Sequence, residues 1–287
     1  MTDLYQPVRM IDTHQHLWKP SERRYHWLEG IGAPLEADFD ERDVIDDVRA
    51  AGITGTVLVQ AEDSYEDSFF MLSVAAKYPE IAGVVAWAPL DRVDEAEAAL
   101  DLYSLSSAVR GIRVLNHNYA NPFWLLQDDV QPSIAALAQH GFSLDVVCVL
   151  PEHSQAAIQL ADRYPDLTLV IDHLAKPDIA NQGWQPWAGQ LADAAARPNV
   201  TAKLSGLNTV SAPGWTSRDW QPYVDLAVAT FGPDRLMLGS DWPVSLLNGD
   251  FASVWTALRE SIAGLTPGEQ DDILYRTAER TYRLETP

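Results

Sequence analysis

The sequence predicts an α/β protein, a (β/α)₈ TIM barrel that fills residues 1–287 as a single domain. Three observations lead there. Short apolar runs alternate with longer amphipathic stretches along the whole chain, the signature of repeated βα units around a parallel sheet. Most of these runs are apolar on both faces, as strands must be when helices cover one side and the barrel interior the other. The length, 287 residues, exceeds that of an average domain but suits a barrel of this type, which takes roughly 250 residues as one unit. Hydrophobic residues make up 47% of the chain, enough for a large core and an autonomous fold.

Eight strands are expected, at residues 10–14, 54–59, 82–88, 109–114, 142–149, 167–171, 200–204 and 236–239. Helices are expected between them, including residues 41–51, 66–78, 130–140, 153–164 and 220–231, and a final pair at 251–263 and 266–282 follows the eighth strand. Gly52, Gly141 and Gly232 follow helical segments, where the chain often turns left-handed, and Pro79 and Pro165 stand where a helix must stop. No internal repeat and no Gly/Ser-rich linker divides the chain. The longest irregular stretches, residues 18–39, 116–129 and 207–219, each follow the C-terminal end of a strand. In a barrel that is the face where ligand-binding loops gather.

Acidic residues outnumber basic ones 41 to 20, for a formal net charge of -21. Such a surface repels polyanions, which excludes nucleic acid and anionic membrane as partners and favours a small ligand. A homo-oligomer is compatible with this composition. The single cysteine, Cys148, can form neither an internal disulfide nor a thiolate zinc cluster and suits a reducing compartment. Residues 1–10 contain Asp3, Gln6 and Arg9 with no apolar leader core, so a cytoplasmic location is expected.

The chemistry concentrates at strand ends. Asp12-Thr13-His14-Gln15-His16 closes the first run. Two histidines one residue apart on a strand share a face and can reach one point, as a zinc site requires; equally, they could be a hydrogen-bonded pair that locks the N-terminus. His173, in Ile171-Asp172-His173-Leu174-Ala175-Lys176-Pro177, can be a ligand, a donor to a substrate oxygen or a satisfied structural residue. Asp241, in Gly239-Ser240-Asp241-Trp242-Pro243, faces the same mouth as the first strand because strands one and eight are neighbours in a closed barrel. It can complete a metal site with His14 and His16, act as a general base, or merely start a turn before proline. Three such endings in register favour function over structure.

Arg113 ends the fourth run and is expected to contact substrate, although an ion pair would also satisfy it. Lys203 ends the seventh and has a nearby acid, Asp172, as an alternative partner. Trp27, Trp87, Lys176, Lys203 and Trp242 are the expected substrate-binding residues; most of the ten tryptophans are expected to be packing. There is no Gly-rich phosphate loop, no HExxH and no GxSxG, so nucleotide binding and serine-nucleophile chemistry find no support.

Taken together, DTHQHLW, GIR, IDHLAKP, KLSG and GSDWP resemble the amidohydrolase superfamily of the amidohydrolase 2 type, and within it the lactone hydrolase branch typified by L-fuconolactonase. The resemblance runs over residues 11–282 and is densest at 199–206 and 223–244. It implies a (β/α)₈ barrel in which water opens a ring ester, with Asp241 as general base and His173 and Arg113 binding or polarising the lactone carbonyl. It also implies that His14 and His16 hold a divalent metal, or face the substrate directly in members that act without one. Two departures count against a binuclear centre. The fifth run lacks a strand-end histidine, and Arg113 stands where a bridging Lys or Glu would be needed. At most one divalent ion is therefore expected, zinc being favoured, on His14, His16 and Asp241, with metal-independent catalysis left open. The segment Val114-Leu115-Asn116-His117-Asn118 also departs from the sugar-lactone pattern. The alternatives are a metal-dependent decarboxylase of the same superfamily and a non-catalytic barrel that binds small ligands.

Overall fold

A computed structural model describes residues 4–285. The ends of the expected domain, residues 1–3 and 286–287, lie outside the described residues, as do the first three positions of the 1–10 stretch. Eight parallel strands follow one another in chain order: β1 Ile11–Gln15, β2 Gly55–Val59, β3 Ile81–Ala86, β4 Val109–Arg113, β5 Ser143–Val146, β6 Leu169–Ile171, β7 Val200–Leu204 and β8 Leu236–Leu238. All eight expected runs are strands, most of them shorter at one end. All but two of the strand residues are buried, because helices cover the outer face and side chains fill the interior.

The outer layer is α1 Ile45–Ala50, α2 Tyr65–Ala75, α3 Val93–Ser104, α4 Gln131–His140, α5 Pro151–Arg163, α6 Trp187–Ala195, α7 Ser217–Phe231 and α8 Phe251–Ser261. Side-chain oxygens of Ser64 and Asp250 accept otherwise orphaned N–H groups at the starts of α2 and α8. Gly141 closes α4 in the left-handed conformation. Gly232 also has a positive φ, but its ψ of 156° makes it an extended exit rather than a left-handed cap. The helix expected at 41–51 is interrupted: Glu41–Asp43 is a 3-10 turn capped by Asp40, and α1 begins only at Ile45. The last expected helix, 266–282, is a composite of α9 Pro267–Asp271, a π turn Asp272–Arg276 and α10 Thr277–Tyr282.

Bonds between the first and last strand ends close the barrel. Thr13 Oγ1 donates to the Leu238 carbonyl at 2.7 Å, and the Ser240 N–H donates to Asp12 Oδ1 at 2.8 Å. Asp241 N–H donates to the His14 carbonyl at 2.8 Å, and His16 N–H to the Trp242 carbonyl at 2.7 Å. Gly239 permits this approach: a Cβ there would come 2.5 Å from His14 Cβ. The same seam thus presents His14, His16 and Asp241 side by side at the C-terminal mouth.

Candidate active site

The upper interior of the barrel is charged, and its charges are paired. Lys203 Nζ lies 2.6 Å from Asp145 Oδ2 and 3.3 Å from Asp172 Oδ1. Arg113 Nη1 lies 3.0 Å from Asp172 Oδ2, and the Tyr282 hydroxyl, brought in by α10, donates to Asp145 Oδ2 at 2.7 Å. All are buried. Burial raises the Asp172 carboxyl, but Lys203, His14 and Arg113 outweigh it and hold the group well below the carboxylate range. Burial prevails at Asp145, whose pKa is raised.

Above this layer stand the histidines. His16 Nδ1 lies 2.8 Å from the Val59 carbonyl, which can only accept, so that nitrogen carries hydrogen and Nε2 presents a lone pair. His14 Nε2 faces that lone pair at 3.0 Å. His14 Nδ1 has two neighbours of opposite character, Lys203 Nζ at 3.1 Å and Asp172 Oδ1 at 3.3 Å. With Lys203 donating to Nδ1, His14 carries its hydrogen on Nε2 and donates it to His16. With the hydrogen on Nδ1 facing Asp172, two bare nitrogens oppose each other, an arrangement that suits a shared cation. Burial lowers the pKa of both histidines, and of His173, so the rings are neutral near pH 7.

Asp241 completes the group. Its Oδ1 lies 3.5 Å from His16 Nε2, 3.8 Å from His14 Nε2 and 3.9 Å from His173 Nε2. Burial raises its pKa, yet His173, His16 and Lys176 more than offset this and leave it below the ordinary carboxylate value. Its Oδ2 is buried without a hydrogen-bond partner. Gly206, at φ +59, permits close packing beside that oxygen, because a Cβ there would lie 2.7 Å from Oδ2 and 2.8 Å from His173 Nδ1. Ligand atoms of His14, His16 and Asp241 lie within 4.8 Å of one another, and the set fits one divalent ion. His14, Asp172 and His173 also cluster, but Asp172 is already engaged by Lys203 and Arg113.

His173 and Lys176 reach the site on an unusual backbone. His173, Leu174, Ala175 and Lys176 have φ of 54°, 50°, 57° and 49°, one turn of left-handed helix without a glycine. Each such residue costs about 1–2 kcal/mol. The burial of Leu174, a 2.6 Å bond from Trp187 Nε1 to the Leu174 carbonyl and the Ser205 Oγ contact to His173 Nδ1 at 2.8 Å hold it. The Lys176 N–H closes the turn on the His173 carbonyl at 2.9 Å. In an i to i+3 turn the two end residues share a side, so both line the cavity.

That cavity, about 400 Å³, is walled by Trp27, Ala61, Leu115, Val147, Val149 and Val244 and carries His16, Arg113, His117, Asn118, His173, Lys176 and Asp241 as its polar groups. The structure therefore brings together His14, His16, His173, Arg113, Asp241, Lys176 and Trp27. Three expected substrate contacts lie elsewhere. Lys203 is fully buried among Asp145, Asp172 and His14, beneath the cavity wall. Trp87 packs edge-on against Tyr65 in the helix layer, and Trp242 packs on Phe39. The sequence reading passes over Asp145, Ser205, Tyr282 and the cavity position of His117; a charged residue inside the apolar run 142–149 is the signal that marks Asp145. A second cavity of about 460 Å³, bounded by Trp184, Trp215, Arg218 and Tyr223, contains none of the strand-end residues.

Known proteins resemble this chain over nearly its full length. The chain is 35% identical over 283 residues to an L-fucono-1,5-lactonase from Burkholderia ambifaria, covering 96% of each protein. It is 30% identical over 291 residues to another L-fucono-1,5-lactonase, from Burkholderia multivorans, covering 96% of this chain and 97% of that one. The crystal structure of an amidohydrolase from Burkholderia multivorans, solved with bound HEPES and again with bound zinc, superposes with a TM-score of 0.88 at 28% identity, covering 97% of this chain and 100% of the other. The amidohydrolase family model matches residues 11–284, from the first residue of β1 to beyond α10. With the strand-end histidines and Asp241 gathered at the closing seam and that match spanning nearly every described residue, the chain belongs to the amidohydrolase family.

Proposed function

We propose that this chain opens a small sugar lactone, L-fucono-1,5-lactone or a close relative, by attack of water with Asp241 as general base. Lactone hydrolysis itself follows from full-length relatives at 35% and 30% identity; the particular lactone and the residue roles are our assignment. One observation carries them: Asp241 Oδ2, a buried carboxylate oxygen without a partner, stands at a cavity that also holds Arg113 and His173. Water is a weak nucleophile and needs a base, while the carbonyl oxygen that gains charge needs donors in a site shielded from solvent. Asp241 takes the proton from water. Arg113, whose Nε is buried and unpartnered, and His173, oriented by Ser205, face the developing charge. Trp27 and Lys176 flank the ring. Asp241 then returns its proton to the alkoxide that leaves.

His14, His16 and Asp241 would hold a divalent ion, and the nitrogen-rich donor set with an open position favours zinc. Such an ion would supply Lewis acidity. A zinc-bound crystal structure of the Burkholderia multivorans amidohydrolase supports this choice. No described helix is long and apolar enough to cross a membrane. We place the reaction in the cytoplasm, in keeping with Cys148, which is buried and free.

A lactone panel followed with a pH indicator, with and without chelator, tests the assignment. Acid release from a sugar 1,5-lactone is expected; a decarboxylase would leave the lactones untouched, and silence across the panel would dismiss the reading. Elemental analysis should find no more than one ion per chain, and two would overturn the ligand assignment. Gly206→Ala is expected to lower kcat by about tenfold or more, since the added methyl displaces Asp241 and His173 by the contacts given above. Wild-type turnover in that variant would show that the placement of Asp241 and His173 is not critical.

A further inference from the structure

Among the described polar groups that line the cavity, three buried atoms lack a hydrogen-bond partner: Asp241 Oδ2, Arg113 Nε and His117 Nδ1. The first two have a place in lactone opening, as base and as donor to the oxyanion. The third does not. His117 lies on the 3-10 turn Asn116–Asn118, beside the apolar Leu115, Val147 and Val149 of the cavity wall.

This turn is held firmly. Asn116 donates to the Val147 carbonyl at 2.9 Å and accepts the Val147 N–H at 3.2 Å. Asp63 accepts the Leu115 N–H at 2.9 Å and the Tyr119 hydroxyl at 3.2 Å, and the Tyr119 ring stacks on Trp124 with centroids 4.2 Å apart. The backbone that carries the imidazole is thus held in place. Burial, then the charges of Arg113 and Lys176, lower its pKa to about 4, so near pH 7 the ring is neutral and offers one donor and one acceptor. A buried polar atom without a partner is unfavourable, and a rigid pocket that keeps one discriminates in favour of the ligand that satisfies it.

We propose that His117 Nδ1 hydrogen-bonds a ring hydroxyl of the substrate, remote from the carbonyl, and so selects hydroxylated lactones over bare ones. The assignment rests on the lactonase reading above. It makes His117 a specificity residue that leaves the chemical step to Asp241.

The test compares kcat and KM on a polyhydroxylated six-membered lactone and on unsubstituted δ-valerolactone for the wild type and for His117→Ala, His117→Asn and His117→Gln. An asparagine amide falls near the Nδ1 position and a glutamine amide nearer Nε2. His117→Ala is expected to lose roughly tenfold or more in kcat/KM on the hydroxylated lactone, mainly through KM, and less than about threefold on δ-valerolactone. His117→Asn should recover most of that loss and His117→Gln little of it. Equal losses on both lactones, or none on either, overturn the assignment. A wild-type chain that opens neither lactone overturns the lactonase reading and the assignment with it. Should the alanine variant fail to fold, the contrast between the asparagine and glutamine variants on the same two lactones decides the matter.

Discussion

Asp241→Asn is expected to lower kcat about a thousandfold while the barrel keeps its fold, because an amide cannot take the proton of attacking water. The carboxylate is buried, and His173, His16 and Lys176 hold its pKa below the ordinary value, so in the wild type it is ionised throughout the neutral range, as the proposed base must be. Asparagine is nearly isosteric and can keep the contacts of Oδ1 with the histidines. Steady-state kinetics on the active lactone, beside a thermal melt, is the measurement. Retention of more than about a tenth of wild-type kcat would mean a barrier change below ~1.4 kcal/mol, too small for an essential base. Ion content determined on the same samples separates loss of the base from loss of a ligand.

The largest effect on stability is expected at Lys203, which is not among the residues that line the cavity. Its ammonium group lies against Asp145, Asp172 and His14 in the barrel interior, with no exposed surface. Lys203→Met fills a similar volume but leaves two buried carboxyl groups without their shared cation. Breaking a buried pair from one side costs about 3–5 kcal/mol. Urea denaturation should show a loss of this size, and Lys203→Met combined with Asp145→Asn should recover part of it, since the second change removes one stranded charge. A single variant as stable as the wild type would mean that the interior carboxyls do not depend on Lys203.

The contrast between Asp241 and Lys203 also shows what a sequence can and cannot disclose. Both end apolar runs, and both are recognisable as chemistry rather than core. The end of a strand tells which mouth a residue serves, and His14, His16, His173 and Asp241 meet there as expected. Whether a long side chain inside a barrel rises toward ligand or crosses to another strand depends on what the other strands present. Lys203 crosses, because Asp145 on β5 and Asp172 after β6 await it. The partner of Asp145 from the far end of the chain, Tyr282, belongs to a helix whose docking no local pattern encodes. Trp87 and Trp242 illustrate the same limit: an aromatic near a strand end can fill the helix layer as readily as a pocket, and here they pack on Tyr65 and Phe39. His117 stands in a segment that the sequence marks only by its departure from the family pattern. Its significance lies in an unpaired nitrogen, which sequence does not display.

The seam between β1 and β8 has a bearing on biosynthesis. His14 and His16 leave the ribosome early, whereas Asp241 emerges more than two hundred residues later, and the bonds that place them side by side also join the two edges of the sheet. A nascent chain that has made seven strands already holds most of the cavity's other groups but lacks Asp241, the base we propose. With Asp241 as base, turnover is expected to begin only when the last strand docks on the first, so enzymatic activity would report the final step of assembly, and any fragment that stops before Asp241 should remain silent however well it is structured.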